Sequence, residues 1–206
     1  MLGYYNVSVI LTYFGLGSAV VGIRLAMSER ISGAIVCLLI SCICDMFDGK
    51  IARAIKRSED AAVFGIQIDS LCDLVCFGVL PAVIAMGLGV NRVIGMATMV
   101  LYVLGAVIRL GYFNVNEMKR QQETSENRRE YQGLPVTTAS WLIALFYLAG
   151  KRLFPEHLSS MLVGWMFILA LAFVTDFRIK KPQGKTIYFV ALGLLLVLIA
   201  VVLILR

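Results

Sequence analysis

The 206-residue sequence predicts an all-α integral membrane protein, a bundle of six core transmembrane helices plus a C-terminal seventh. Three observations predict it. Apolar residues make up 60% of the chain, above the roughly one half found in soluble domains. They fall in long runs, most of them near the about 20 residues that a bilayer-spanning helix needs. The charged residues gather in short connections between those runs.

Seven apolar segments follow one another over residues 6–27, 31–55, 62–88, 92–113, 134–150, 157–175 and 186–205. The third contains Pro81, which removes an N–H and crowds the carbonyl four residues earlier. A kink is expected there, with the freed carbonyl taken up by a neighbouring helix. The fourth ends near residue 113, and 114–133 reads as a charged loop over the site. The fifth and sixth are short for a span. Strand alternation, low-complexity tracts and internal repeats are not evident. Residues 1–206 read as one membrane domain.

The net charge is +6, but the basic residues sit in separate short loops rather than in one patch, which argues against nucleic acid as a partner. Ten of them (Lys56, Arg57, Lys119, Arg120, Arg128, Arg129, Arg178, Lys180, Lys181 and Lys185) fall on one side of the expected topology, and five (Arg30, Arg92, Lys151, Arg152 and Arg206) on the other. The positive-inside rule then places the N-terminus in the cytoplasm and the C-terminus outside a multi-pass cell membrane protein. The first apolar run has no basic segment before it and no small-residue cleavage site after it, so no cleavable signal peptide is expected. All five cysteines, Cys37, Cys42, Cys44, Cys72 and Cys76, lie inside apolar runs and read as small buried hydrophobes. The single histidine, His157, lies in a short polar connection near Pro155, which argues against histidine-centred catalysis.

Four acidic residues break the apolar pattern: Asp45, Asp48, Asp69 and Asp73. An ionised carboxylate in hydrocarbon costs at least about 2.5–3.5 kcal/mol, and four together repel one another, so something must neutralise them. Relative to Asp45, Asp48 lies about 60° to one side, Gly49 about 40° to the other and Ala52 within about 20°, so these four share one helix face. Gly65, Asp69 and Asp73 follow at steps of four and share a face of the next helix. A short connection makes the two helices antiparallel neighbours, and two carboxylates from each can converge at their cytoplasmic ends. An oxygen-only donor set suits a hard cation, Mg²⁺, Mn²⁺ or Ca²⁺, and two divalent ions balance four negative charges. Gly49 and Ala52 leave room beside the acids for a substrate, and Arg53 adds a charge suited to phosphate. Taken singly, each feature has a plainer explanation. A lone membrane Asp can be structural, Gly and Ala at helical spacing can be packing surfaces, and Arg53 or Arg109 can snorkel to the interface. Together they are much harder to explain so.

Asp45-Met-Phe-Asp48-Gly49-Lys-Ile-Ala52-Arg53 followed by Gly65-Ile-Gln-Ile-Asp69-Ser-Leu-Cys-Asp73 resembles the signature of the CDP-alcohol phosphotransferase family. Eleven residues separate Arg53 from Gly65, a longer spacer than the commonest pattern, and the extra residues fall in the turn Lys56–Asp60. The stretches 69–82, Arg109-Leu-Gly-Tyr-Phe-Asn114 and Gly133-Leu-Pro-Val-Thr137 resemble the serine-accepting bacterial branch of that family. The likeness covers about 6–182, and 186–205 is an addition to it. The resemblance implies a homodimeric enzyme that transfers a phosphatidyl group from CDP-diacylglycerol to L-serine and releases CMP. It implies two divalent cations on Asp45, Asp48, Asp69 and Asp73, with Asp73 as general base. Asp45, Gly49, Ala52, Arg53 and Gly65 would bind the CDP-lipid. Arg109 and Asn114 are the residues available to the acceptor.

Two other readings stay open at this point. A sister enzyme could use glycerol 3-phosphate or inositol phosphate, although the only other helix-embedded basic residues are Arg24, Lys50 and Arg109. A divalent-cation transporter would explain the acids but not Gly49, Ala52 and Arg53 beside them. Because the cysteines read as packing, Cys72→Ala should turn over like the parent protein when CMP release is measured. An inactive variant would reopen a cysteine role.

Overall fold

The computed structural model describes residues 3–4, 7–55, 58–123 and 130–180, together with residues 193, 196–199 and 201–203 of the last apolar run. The order is α1 (Val7–Ala26), α2 (Ile31–Ala54), α3 (Glu59–Asp73), a π-helical turn (Leu74–Val79), α4 (Leu80–Gly87) and α5 (Val93–Glu123). A short strand β1 (Glu130–Gln132), α6 (Val136–Leu153), a 3₁₀ turn (Pro155–His157), α7 (Leu158–Val174) and a strand β2 (Arg178–Lys180) complete it. Among the described residues, five stretches are helical, long and apolar enough to cross a membrane: Val9–Ala26, Ile31–Gly49, Glu59–Gly87, Val93–Arg120 and Pro155–Val174. Helix α6, of 18 residues, packs among them and carries Lys151 and Arg152 in its last turn. The described residues of 193–203 are helical, and Val201 is buried against the core.

Helices α1 and α2 form the most extensive pair, because α1 offers small residues one above another: Gly15, Ala19, Gly22 and Ala26. A Cβ at Gly22 would stand 2.9 Å from Cys37 Cβ, so the approach itself requires glycine. Ser41 Oγ donates to Gly15 O at 2.8 Å across the same seam. Helix α5 packs on α7, where Tyr102 and Phe173 meet at 5.2 Å between ring centroids. Helix α6 packs on α2 and α7, with Phe146 stacked on Trp165 at 5.4 Å.

The third apolar segment is one span with a wide turn in its middle. Pro81 has no N–H, and the backbone relieves its clash by widening the preceding turn, in which Leu80 N–H reaches Val75 O. The carbonyl four residues before the proline, Phe77 O, accepts a 2.9 Å hydrogen bond from the fully buried Tyr102 Oη of α5. The expected rescue of the freed carbonyl by a neighbouring helix is present, and the break at the proline takes the form of a wide turn.

Three sequence expectations need correction. Helix α3 starts at Glu59 rather than 62, because Ser58 accepts from Ala61 N–H and Glu59 and Asp60 occupy the positive end of the helix. Helix α5 runs on to Glu123, so 114–123 is helix and not loop; the Arg120–Glu117 pair at 2.6 Å supports that extension. Two strands exist: β1 and β2 pair antiparallel, with Tyr131 opposite Ile179. Lys56, Arg57 and residues 124–129 lie outside the described residues. His157 is exposed in its 3₁₀ turn, and the five cysteines are buried and unpaired, as expected.

Tyr102→Phe removes the only polar atom of that side chain and leaves Phe77 O without its donor. Unfolding free energy in detergent should fall by about 0.5–2 kcal/mol, read as a lower midpoint in a denaturant titration.

Candidate active site

The acids lie in the C-terminal half of α2 and the last turns of α3. Asp45 and Asp48 stand one turn apart on α2, and Asp69 and Asp73 one turn apart on α3. Carboxylate oxygens of Asp45, Asp48 and Asp69 all lie within 4.8 Å of one another. Asp48 is 5% exposed, and the other two are half-buried. Asp73 is not part of that close group, but Asp45, Asp69 and Asp48 are the carboxylates that act on it electrostatically. The structure thus brings three of the four acids to one point and keeps the fourth one turn away, next to the π-helical turn.

Neighbouring helices fix the two acid-bearing helices. Thr12 Oγ1 of α1 donates to Asp48 Oδ2 at 2.8 Å, in a buried position. On α5, Asn114 is 8% exposed; its Oδ1 accepts from Ser70 Oγ at 2.6 Å and its Nδ2 donates to Gln67 Oε1 at 3.3 Å. Ser70 and Gln67 flank Asp69, so Asn114 sets the rotation of α3 about the site. Arg109 is 5% exposed rather than snorkelling, and its Nε donates to Leu134 O at 3.2 Å. That bond ties α5 to the strap 130–135. The strap is also held at the end of α7, by Gly133 N–H to Phe177 O at 2.7 Å and Leu134 N–H to Ala172 O at 3.1 Å. Gly133 has φ 70°, in the left-handed region that favours glycine.

Gly49 and Gly65 lie on α2 and α3, on the segments that carry the acids. Ala52 and Arg53 lie in the last turn of α2, and their side chains fall outside the described residues. The sequence reading missed Thr12, Ser70 and Gln67. Thr12 had a faint signal, as a hydroxyl among apolar residues of α1, but nothing local pointed it at an acid 36 residues away.

Three hard oxygen donors at this separation, on two rigid helices and in low-dielectric surroundings, fit one divalent cation better than they fit each other. No histidine or cysteine belongs to the group, which disfavours zinc and softer metals. The arrangement can hold a divalent ion against an anionic, phosphate-bearing substrate.

The CDP-alcohol phosphatidyltransferase profile matches residues 5–176, and the chain belongs to that family of membrane phosphatidyltransferases. Its relatives narrow the branch. It is 34% identical over 116 residues to the CDP-diacylglycerol–serine O-phosphatidyltransferase of Saccharomyces cerevisiae, a match covering 55% of this chain and 41% of the yeast protein. It is 28% identical over 176 residues to the archaetidylserine synthase of Methanothermobacter thermautotrophicus, covering 85% of this chain and 70% of the relative. It is 29% identical over 169 residues to the CDP-diacylglycerol–serine O-phosphatidyltransferase of Helicobacter pylori, covering 78% and 67%.

Thr12→Val keeps the shape and removes the hydroxyl that orients Asp48. Magnesium or manganese affinity, measured by calorimetry, should fall roughly tenfold, the scale for loss of a group that orients a metal ligand.

Proposed function

We propose that the protein transfers the phosphatidyl group of CDP-diacylglycerol to the hydroxyl of L-serine and releases CMP. The observation that carries this reading is the 4.8 Å convergence of Asp45, Asp48 and Asp69 inside the family signature. The serine acceptor follows the printed activities of the relatives, which share it although one makes an archaeal lipid.

Asp45, Asp48, Asp69 and Asp73 would together hold two divalent cations, magnesium or manganese before calcium, with the close trio Asp45, Asp48 and Asp69 serving one of them. When bound, these supply charge neutralisation for the diphosphate and for the charge that develops at phosphorus. Gly49, Ala52 and Gly65 leave space for the cytidine diphosphate, and Arg53 pairs with its phosphates. Asp73 takes the serine hydroxyl proton as that oxygen forms a bond to the lipid-bearing phosphorus. The bond from that phosphorus to the CMP oxygen breaks in the same displacement, and no covalent enzyme intermediate is needed. Arg109 meets the acceptor's carboxylate or the transferred phosphate. Asn114, engaged with Ser70 and Gln67, acts on the acceptor side by holding α3 in place. The six-helix core, the seventh helix at 186–205, a homodimer, and a cytoplasm-facing site in the cell membrane with the N-terminus inside complete the proposal.

Asp48→Asn and Asp69→Asn should each lower CMP release from CDP-diacylglycerol by about a thousandfold, the scale of several kcal/mol of lost charge stabilisation. Helical content should stay intact by circular dichroism. Release should require serine and not glycerol 3-phosphate. Near-normal turnover in either variant would sink the metal site, and equal rates with both acceptors would sink the serine assignment.

A further inference from the structure

The end of the bundle remote from the acids has its own cavity. A pocket of about 650 Å³, open to the outside, lies where the α1–α2 turn, the end of α4 and the α6–α7 turn meet. Ser32, in its wall, lies thirteen residues before Asp45 on α2, about 20 Å away along the helix axis. This space is therefore separate from the acid site by most of a bilayer's thickness.

Its polar contents are organised. Ser32 Oγ and Tyr147 Oη share a 2.8 Å hydrogen bond between two buried side chains. Lys151 Nζ donates to Ser32 Oγ at 3.2 Å and stands 5.6 Å from the Tyr147 ring centroid. The ammonium is thus tethered to the wall while Lys151 stays exposed to the mouth of the pocket. Arg30 lines the same space, and its side chain makes no hydrogen bond or ion pair among the described residues. Glu29 also lines it without pairing to either cation, and its φ of 60° marks the tight turn that sets these residues in the wall. Arg30 gives no side-chain cap to α2, so the first backbone N–H groups of α2 add positive potential to the same space.

Two cations and one carboxylate leave the lining with one net positive charge, the complement of one phosphodiester. The rest of the wall is apolar, from Leu25, Leu88 and Leu158. A free inorganic ion has no use for such a wall, whereas an acyl glycerol does. The cavity also lies where apolar spans end, at Ala26 and Gly87, and begin, at Ile31 and Pro155, which is headgroup depth. We infer that this cavity binds the phosphodiester headgroup of an anionic membrane lipid in the leaflet opposite the acid site, with Arg30 and Lys151 as its cationic contacts. The ligand bridges the α1–α2 turn and the α6–α7 turn, and it takes no part in the group transfer.

The test uses the full chain in detergent, titrated with phosphatidylglycerol, phosphatidylcholine or inorganic phosphate. Bound lipid is counted by native mass spectrometry. One phosphatidylglycerol should bind in preference to phosphatidylcholine, and millimolar inorganic phosphate should not displace it. The paired change Arg30→Gln with Lys151→Gln should weaken phosphatidylglycerol about 10–30-fold while leaving the lipid-free thermal midpoint unchanged. Asp48→Asn should bind it as the parent does, which separates this site from the acid cluster. Tyr147→Phe, a milder change that removes one hydroxyl contact, should weaken binding about threefold and carries the test if the paired variant does not fold. Equal phosphatidylglycerol binding in the parent and in the folded variants would overturn the assignment. So would loss of binding in Asp48→Asn or full displacement by inorganic phosphate.

Discussion

Negative charge gathered inside an apolar bundle is the constraint from which the rest of the structure follows. Three carboxylates within 4.8 Å repel strongly where water is scarce. They stay together only if their helices cannot rotate away and if positive charge arrives from outside. The fold supplies the first condition. The small-residue seam of α1 brings Thr12 onto Asp48, and Asn114 of α5 grips α3 on both sides of Asp69. The second condition is the opening for divalent ions and for the phosphate-bearing donor of the proposed reaction.

The same logic bears on how the acids are reached. Asp45 and Asp48 stand in the C-terminal half of α2 and Asp69 and Asp73 in the last turns of α3, so in the proposed reaction ions and a water-soluble acceptor enter from the α2–α3 connection and the donor lipid from the side. The strap 130–135 closes over neighbouring ground. It is fastened to α5 through Arg109 and to α7 through backbone bonds, so the segment between α5 and α6 is ordered where it passes the helices.

Much of this was legible in the sequence, for a physical reason. Carboxylates at steps of three and four share a helix face whatever the tertiary packing, and a short connection makes the two helices neighbours. Local periodicity therefore reached Asp45, Asp48 and Asp69 directly. It could not reach Thr12, whose partner is on another helix, or the Tyr102 hydroxyl that relieves Pro81. The extension of α5 to Glu123 was hidden because its charged residues carry no apolar stripe, although Glu117 and Arg120 are spaced to support a helix. Strands of three residues are too short for alternation to register. The remote cavity escaped because three turns far apart in sequence build it.

The wide turn at Leu74–Val79 has a consequence for how this chain can change over time. It lies between the last carboxylate and the proline, and it joins two half-helices that answer to different neighbours. One half aims acids at α2, and the other seats Leu80, Ile84 and Ala85 in the bundle interior. Removing a single residue there would restore a regular helix and swing one half by about 100° relative to the other. Side chains along this span can drift under selection, but its residue count is locked. Insertions and deletions should be purged there even where almost any apolar substitution is tolerated.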